Sequence, residues 1–223
     1  NANAFTGNKG LEACEKMALA LSKLYKCDRK NVFFASTGVI GEQLPYDQII
    51  KQFGQLNQKL SHSDFIAPSN AILTTDLKPK TYTSKFKIND EVSTISAIAK
   101  GSGMIFPNMG TMLAFIFTDF SIDKKSLSTL TKKAVAKSFN RISVDGDTST
   151  SDTVFVITTN KKNLDLKTGK RIEALNGFYK ELRRAMVNLA HQIVMDGEGA
   201  RKFIEITVKN AKSFKRARKI CFS

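Results

Sequence analysis

The loop Lys100-Gly-Ser-Gly-Met-Ile-Phe-Pro-Asn-Met-Gly110 runs into the apolar segment Thr111-Met-Leu-Ala-Phe-Ile-Phe-Thr-Asp119, with a hydroxyl residue on the boundary. A loose glycine before a hydroxyl suits a self-cleaving backbone. The Thr111 hydroxyl can attack the Gly110 carbonyl, shift the peptide to an ester and let water release a new N-terminus. The freed α-amine then lies beside the hydroxyl and can act as its base. The same residues also suit an ordinary loop-to-strand junction, with threonine as a β-branched strand starter. Thr37-Gly38 offers a second piece of chemistry. A hydroxyl and an unencumbered backbone N–H at a strand end can hold a developing alkoxide, as an oxyanion hole requires. A simple turn uses the same dipeptide.

Other motifs fail on spacing. Gly101-x-Gly103 meets Phe106 where a dinucleotide loop needs its third glycine, and no Gly-Lys-Ser/Thr phosphate loop occurs. The stretch Asp145-Gly-Asp147-Thr-Ser-Thr-Ser-Asp152 imitates a calcium loop, but Thr150 and Val156 stand where glycine and an acid are needed. It reads instead as a tight loop bonded to its own backbone, and as a candidate wall of an active site. Cys14, Cys27 and Cys221 form no metal spacing and no C-x-x-C pair. Cys14 falls in an apolar helical pattern and is expected as a small buried hydrophobe. His62 and His191 are isolated, so zinc and Ser/His or Cys/His catalysis find little support. The odd cysteine count points to a reducing compartment, with the cytosol as default.

A net charge of +15 invites a nucleic-acid reading. The lysines are spread along the chain, however, and no aromatic residues interleave with them to stack bases. A solvated basic face is the simpler expectation; the densest cluster is Lys209, Lys212, Lys215, Arg216, Arg218 and Lys219. No apolar run reaches the roughly 18 residues needed to cross a bilayer.

These residues need elements to hold them. Of 223 residues, 42% are hydrophobic, enough for a real core. Leu11, Cys14, Met17, Ala18, Leu21 and Leu24 predict a helix over about 10–26. Residues 32–35 predict a short strand, and Pro45 the first turn of a helix carrying Ile49, Ile50, Phe53 and Leu56. Residues 81–88 and 91–99 predict paired strands across Asn89-Asp90. Strands follow over 111–117, 153–159 and 203–208. Helices are expected around 127–135, over 171–195 on a stripe from Ile172 to Ile193, and over 211–221. Neither repeats nor a clean domain break interrupt this alternation, which implies a mixed α/β class.

Seven ordered blocks now stop looking independent: Asn1-Ala-Asn-Ala-Phe-Thr-Gly7, Ser36-Thr-Gly-Val-Ile-Gly-Glu42, Ala71-Ile-Leu-Thr-Thr-Asp76, Lys100-Gly-Ser-Gly-Met104, Pro107-Asn-Met-Gly-Thr-Met-Leu-Ala114, Asn140-Arg-Ile-Ser-Val-Asp-Gly-Asp-Thr-Ser-Thr150 and Asp196-Gly-Glu-Gly-Ala200. The series closely resembles the ornithine acetyltransferase (glutamate N-acetyltransferase) family of arginine biosynthesis, over essentially the whole chain. The resemblance implies cleavage between Gly110 and Thr111, with residues 1–110 belonging to an α chain and 111–223 to a β chain of one intertwined unit. Thr111 would be the nucleophile that carries acetyl from N2-acetylornithine to L-glutamate. Thr37 and Gly38 would form the oxyanion hole. Thr74, Lys100, Thr111 and Glu198 would bind substrate, with Lys100 suited to a carboxylate and Glu198 to an ammonium.

The family needs no metal or organic cofactor, and some members also take acetyl-CoA as donor. The implied fold is a layered α/β/β/α sandwich, assembled in the cytoplasm as a heterotetramer of two α and two β chains, with no nucleic acid or membrane partner. Family members extend past both ends, so the chain resembles an internal fragment. It departs from the usual pattern at Gly110 (commonly Ala), Phe106 (His), Phe5 (Cys) and Arg201 (Thr). Gly110 is sterically easier and looser than alanine, so cleavage is expected to survive at a changed rate. Two other readings remain open. One is a hydrolase or aminopeptidase of the same architecture, and the other a non-catalytic basic nucleic-acid-binding protein using the 209–219 cluster.

Overall fold

A computed structural model describes residues 1–61, 64–88, 91–106, 112–161 and 168–223. Its centre is a four-stranded sheet in the order β1 (Lys80–Ile88), β2 (Glu91–Lys100), β3 (Leu113–Thr118) and β4 (Thr153–Thr158). The first three strands pair antiparallel, and β4 joins β3 in parallel. Parallel neighbours need a crossover. Here it contains a helix, α4 (Lys124–Val135), whose Asp123 caps the first turn by accepting from the Ser126 N–H at 2.9 Å.

Alternation along β2 and β3 builds the core. Ile95, Ala97 and Ala99 share one face of β2, and Ala114 and Ile116 continue it on β3. The long helix α5 (Thr168–Met195) covers this face with Ala174, Phe178, Leu182, Ala185, Met186, Leu189 and Ile193. Those positions recur every three or four residues, so they form one stripe. Each large side chain buried there contributes about 1.5–3 kcal/mol. The small alanines of β2 and β3 let α5 approach, and Phe120 stacks on Phe178 at 4.7 Å between centroids. The opposite face carries Phe115, Phe117 and Phe155, met by Phe33 and Phe65 from the N-terminal part of the chain.

That part holds α1 (Gly7–Tyr25), α2 (Tyr46–Gln58) and α3 (Ile66–Ala71), and α6 (Phe214–Cys221) lies near the C-terminal end. The mixed α/β expectation is met, and most elements fall where periodicity put them. Two differ. Residues 32–35 and 203–208 are not strands, because neither run finds a backbone ladder to join. Phe33 instead rests on Phe155, 6.1 Å between centroids, and Ile204 and Ile206 stay exposed. Ile172, expected in the α5 stripe, is also exposed. The Asn89-Asp90 turn, His62, Gly110 and Thr111 lie outside the described residues.

Candidate active site

The C-terminal end of β2 delivers Lys100 into the interior, where its side chain is 2% exposed. Its ammonium donates to the Thr74 hydroxyl at 2.7 Å and lies 3.8 Å from an Asp76 oxygen. Burial pushes the Lys100 ammonium below the usual lysine range; Asp76 pulls it up, and nearby Lys80 pushes it further down. Asp76 is the hub of this cluster. It accepts from the Lys80 ammonium and the Gly101 N–H, each at 2.6 Å, and from the Thr74 N–H at 3.2 Å. Burial raises the Asp76 carboxyl, but these donors outweigh it and hold the group below the ordinary carboxylate range.

Lys80 reaches a second carboxylate, Asp196 Oδ2, at 2.5 Å. Asp196 also accepts from the Leu77 N–H at 2.9 Å and from the Lys78 N–H at 3.3 Å. So the 74–80 segment, the end of β2 and the loop after α5 are tied around two buried lysines. The solvated-face expectation fails for Lys80, which is 1% exposed because two carboxylates compensate its charge.

Glu198 sits on the same loop, two residues past Asp196. Its backbone N–H donates to the Ser102 carbonyl at 2.7 Å. Its carboxylate lies against Gly103, close enough that a Cβ there would meet Cδ at 2.8 Å. Glu198 itself is exposed, and its charge acts on Lys100. Thr74, Lys100 and Glu198, separated by up to 124 positions in sequence, therefore converge on the Lys100–Gly103 turn.

The acidic-hydroxyl stretch, expected as a candidate wall, lies alongside the segments that follow β2 and precede β3. Asp145 accepts from Met104 N–H and, at 3.0 Å, from Ile105 N–H, pinning the loop that follows β2. It also accepts from its own Asp147 N–H at 3.2 Å. Asp152 accepts from the Met112 N–H at 2.7 Å. Its other oxygen, Oδ2, is buried and has no hydrogen-bond partner among the described residues. Burial pushes the Asp152 carboxyl up to about 7, against the lowering pull of the Met112 N–H and the Lys100 charge.

Thr150, Ser151 and Asp152 face Asn3, Cys14, Phe33 and Ser36 across a cavity of about 490 Å³. Cys14 is half-buried and accepts from the Asn3 amide at 3.2 Å, so it is less an inert hydrophobe than its helical position suggests. Thr37 follows Ser36, and its hydroxyl oxygen is buried without a partner among the described residues. Gly38 has φ +132 and backs onto the Asn1 backbone, where a Cβ would sit 3.1 Å away. No contact joins Thr37 or Gly38 to Lys100 or Glu198 among the described residues. Sequence reasoning quoted Asp76, Asp196 and Asp152 only as parts of motifs. An acid four positions before Lys80 was the available signal for Asp76; Asp196, 116 positions from Lys80, had none. The described residues hold no cluster of His, Cys, Asp and Glu able to bind a metal ion, and among them no helix is long and apolar enough to cross a membrane.

A model of the ArgJ family matches residues 1–223. The arginine biosynthesis bifunctional protein ArgJ of Bradyrhizobium diazoefficiens is 41% identical over 229 aligned positions, covering 100% of this chain and 55% of that protein. The mitochondrial arginine biosynthesis bifunctional protein ArgJ of Meyerozyma guilliermondii is 40% identical, covering 100% of this chain and 52% of that one. The crystal structure of the arginine biosynthesis bifunctional protein argJ from Bacillus halodurans aligns at 36% identity and a TM-score of 0.42, covering 48% of this chain and 56% of that chain. The chain spans about half the length of the curated relatives it matches.

Proposed function

The chain belongs to the ArgJ family, and from that premise we propose that it carries the nucleophile and part of the substrate site of a self-cleaving acetyltransferase of arginine biosynthesis. Thr111 Oγ attacks the Gly110 carbonyl carbon, the C–N bond gives way to an ester, and water releases Thr111 as a chain end. Residues 1–110 and 111–223 then belong to two associated chains. In turnover the freed amine takes the Thr111 hydroxyl proton. The hydroxyl accepts acetyl from N2-acetylornithine as an ester, ornithine leaves, and the amine of L-glutamate attacks that ester in a second half-reaction. Acetyl-CoA is a further donor to test, and two cleaved protomers form the proposed assembly.

The chemistry of the pocket suits these roles. Lys100 is a buried cation with a hydroxyl and a carboxylate at its sides, so a substrate carboxylate can enter as its counter-ion. Glu198 keeps its carboxylate exposed beside a glycine, free to take an ammonium. Thr37 Oγ1, buried and without a partner among the described residues, has a donor to offer a developing oxyanion. The observation that carries the reading is the convergence of Thr74, Lys100 and Glu198 on one turn, eight residues before Thr111 at its Gly103 corner.

The test is labelled N2-acetylornithine with full-length protein. Intact mass should reveal fragments ending at Gly110 and starting at Thr111, and the label should appear on the second before glutamate removes it. Thr111→Ala should abolish both cleavage and transfer. A single uncleaved species that transfers acetyl would sink the nucleophile assignment, and acetyl released only to water would favour the hydrolase reading.

A further inference from the structure

The carboxylate of Asp152 has no task in the reading above, yet it is placed at the backbone next to the proposed nucleophile. It is bonded through Oδ1 to the Met112 N–H, and the nitrogen of that group is joined covalently to Thr111. Its second oxygen is buried without a partner among the described residues. A buried carboxylate oxygen left unpaired costs stability, so a structural role alone explains only Oδ1. An asparagine or serine would accept the Met112 N–H equally well without carrying charge into the interior.

We propose that Asp152 is the proton-exchanging residue of self-cleavage, anchoring the Met112 peptide through Oδ1 while its carboxylate takes the Thr111 hydroxyl proton and returns it to the Thr111 nitrogen. The proposal rests on Thr111 as the cleavage nucleophile. The atoms balance without an outside reactant other than water. The Oγ–C bond to Gly110 forms, the Gly110–Thr111 C–N bond breaks, and the proton leaving Oγ is the one that converts the departing nitrogen into an amine. Water then adds to the ester and leaves a Gly110 carboxyl and a free Thr111 hydroxyl. Before cleavage Thr111 has no free amine to act as its base, so the first proton needs another acceptor.

The surroundings tune Asp152 for this exchange. Burial lifts its carboxyl to about 7, where both protonation states are populated at neutral pH. The charged side chain acting on it is Lys100 from β2. Across the shared cavity α1 contributes the Cys14 thiol, the 3–4 and 33–36 segments contribute Asn3 and Ser36, and α2 contributes the apolar Ile49 and Phe53.

Asp152→Asn separates anchoring from proton exchange, because the amide oxygen can still accept the Met112 N–H. The cleavage rate of full-length protein is followed by intact mass from pH 5 to 9, with the melting temperature as a check on folding. Wild-type cleavage should speed up with rising pH through an inflection near 7, as the carboxylate form appears. Asp152→Asn should fold, cleave about 100-fold more slowly and lose that inflection; Asp152→Glu should restore part of the rate. Asparagine variants cleaving within about threefold of wild type with the same inflection would overturn the proposal, as would wild-type protein that never cleaves. Acetyl labelling of the Thr111 peptide is read separately, so a protein that cleaves through Asp152 but never takes acetyl would refute the acetyltransferase reading alone.

Discussion

Asp76 has two lysines to satisfy. Its side chain is 0% exposed and the Lys80 side chain 1%, with 2.6 Å between the charged atoms. Removing one member of such a pair leaves an uncompensated charge in the interior. Asp76→Asn is therefore expected to cost about 3–5 kcal/mol in urea unfolding, and to disturb Lys100 through the shared hub. A loss below about 1 kcal/mol would mean that Asp196 alone suffices for Lys80. Asp152 should behave in the opposite way. Its folded value near 7 stands above the ordinary 3.8. The native state thus holds a proton that the unfolded chain has released, and stability falls as pH rises between those values. Asp152→Asn should raise the melting temperature at pH 8 and leave it nearly unchanged at pH 3.5. A carboxylate kept despite this penalty fits a group retained for chemistry.

Helices were legible because their stripes are local: Phe178, Leu182, Met186 and Leu189 declare α5 without knowledge of what covers them. The β1–β2 hairpin was legible for the same reason. Residues 32–35 and 203–208 misled, because an apolar run says nothing about whether a ladder partner exists. Thr74, Lys100 and Glu198 came from ordered motifs, and the chain folds them onto one turn. The Lys80–Asp196 pair spans 116 positions, so only the fold could reveal it. The Lys100–Gly103 turn lends itself to a direct test. A Cβ at position 103 would meet the Glu198 carboxylate at 2.8–3.0 Å. That carboxylate ends a flexible side chain, so it can move aside with little strain on the fold. Gly103→Ala should raise KM for the amino-acid substrates several-fold while the melting temperature barely shifts. An unchanged KM would argue against Glu198 as the ammonium partner.

Sheet order has a consequence for the whole molecule. The proposed cleavage between Gly110 and Thr111 would fall between β2 and β3, adjacent strands joined from Ile95↔Thr118 to Lys100↔Leu113. Downstream α5 also grips upstream strands, through Glu181 on the Tyr82 hydroxyl at 2.6 Å and Gln192 on the backbone of Thr81. A nick at that point would therefore leave two polypeptides interlocked, each supplying half of a single core. Once denatured, they would have to find one another by diffusion. Recovery of the cut protein on removal of denaturant should then decline with dilution. The uncut Thr111→Ala chain should regain its fold at a rate indifferent to dilution, which makes the scission a one-way commitment to partnership.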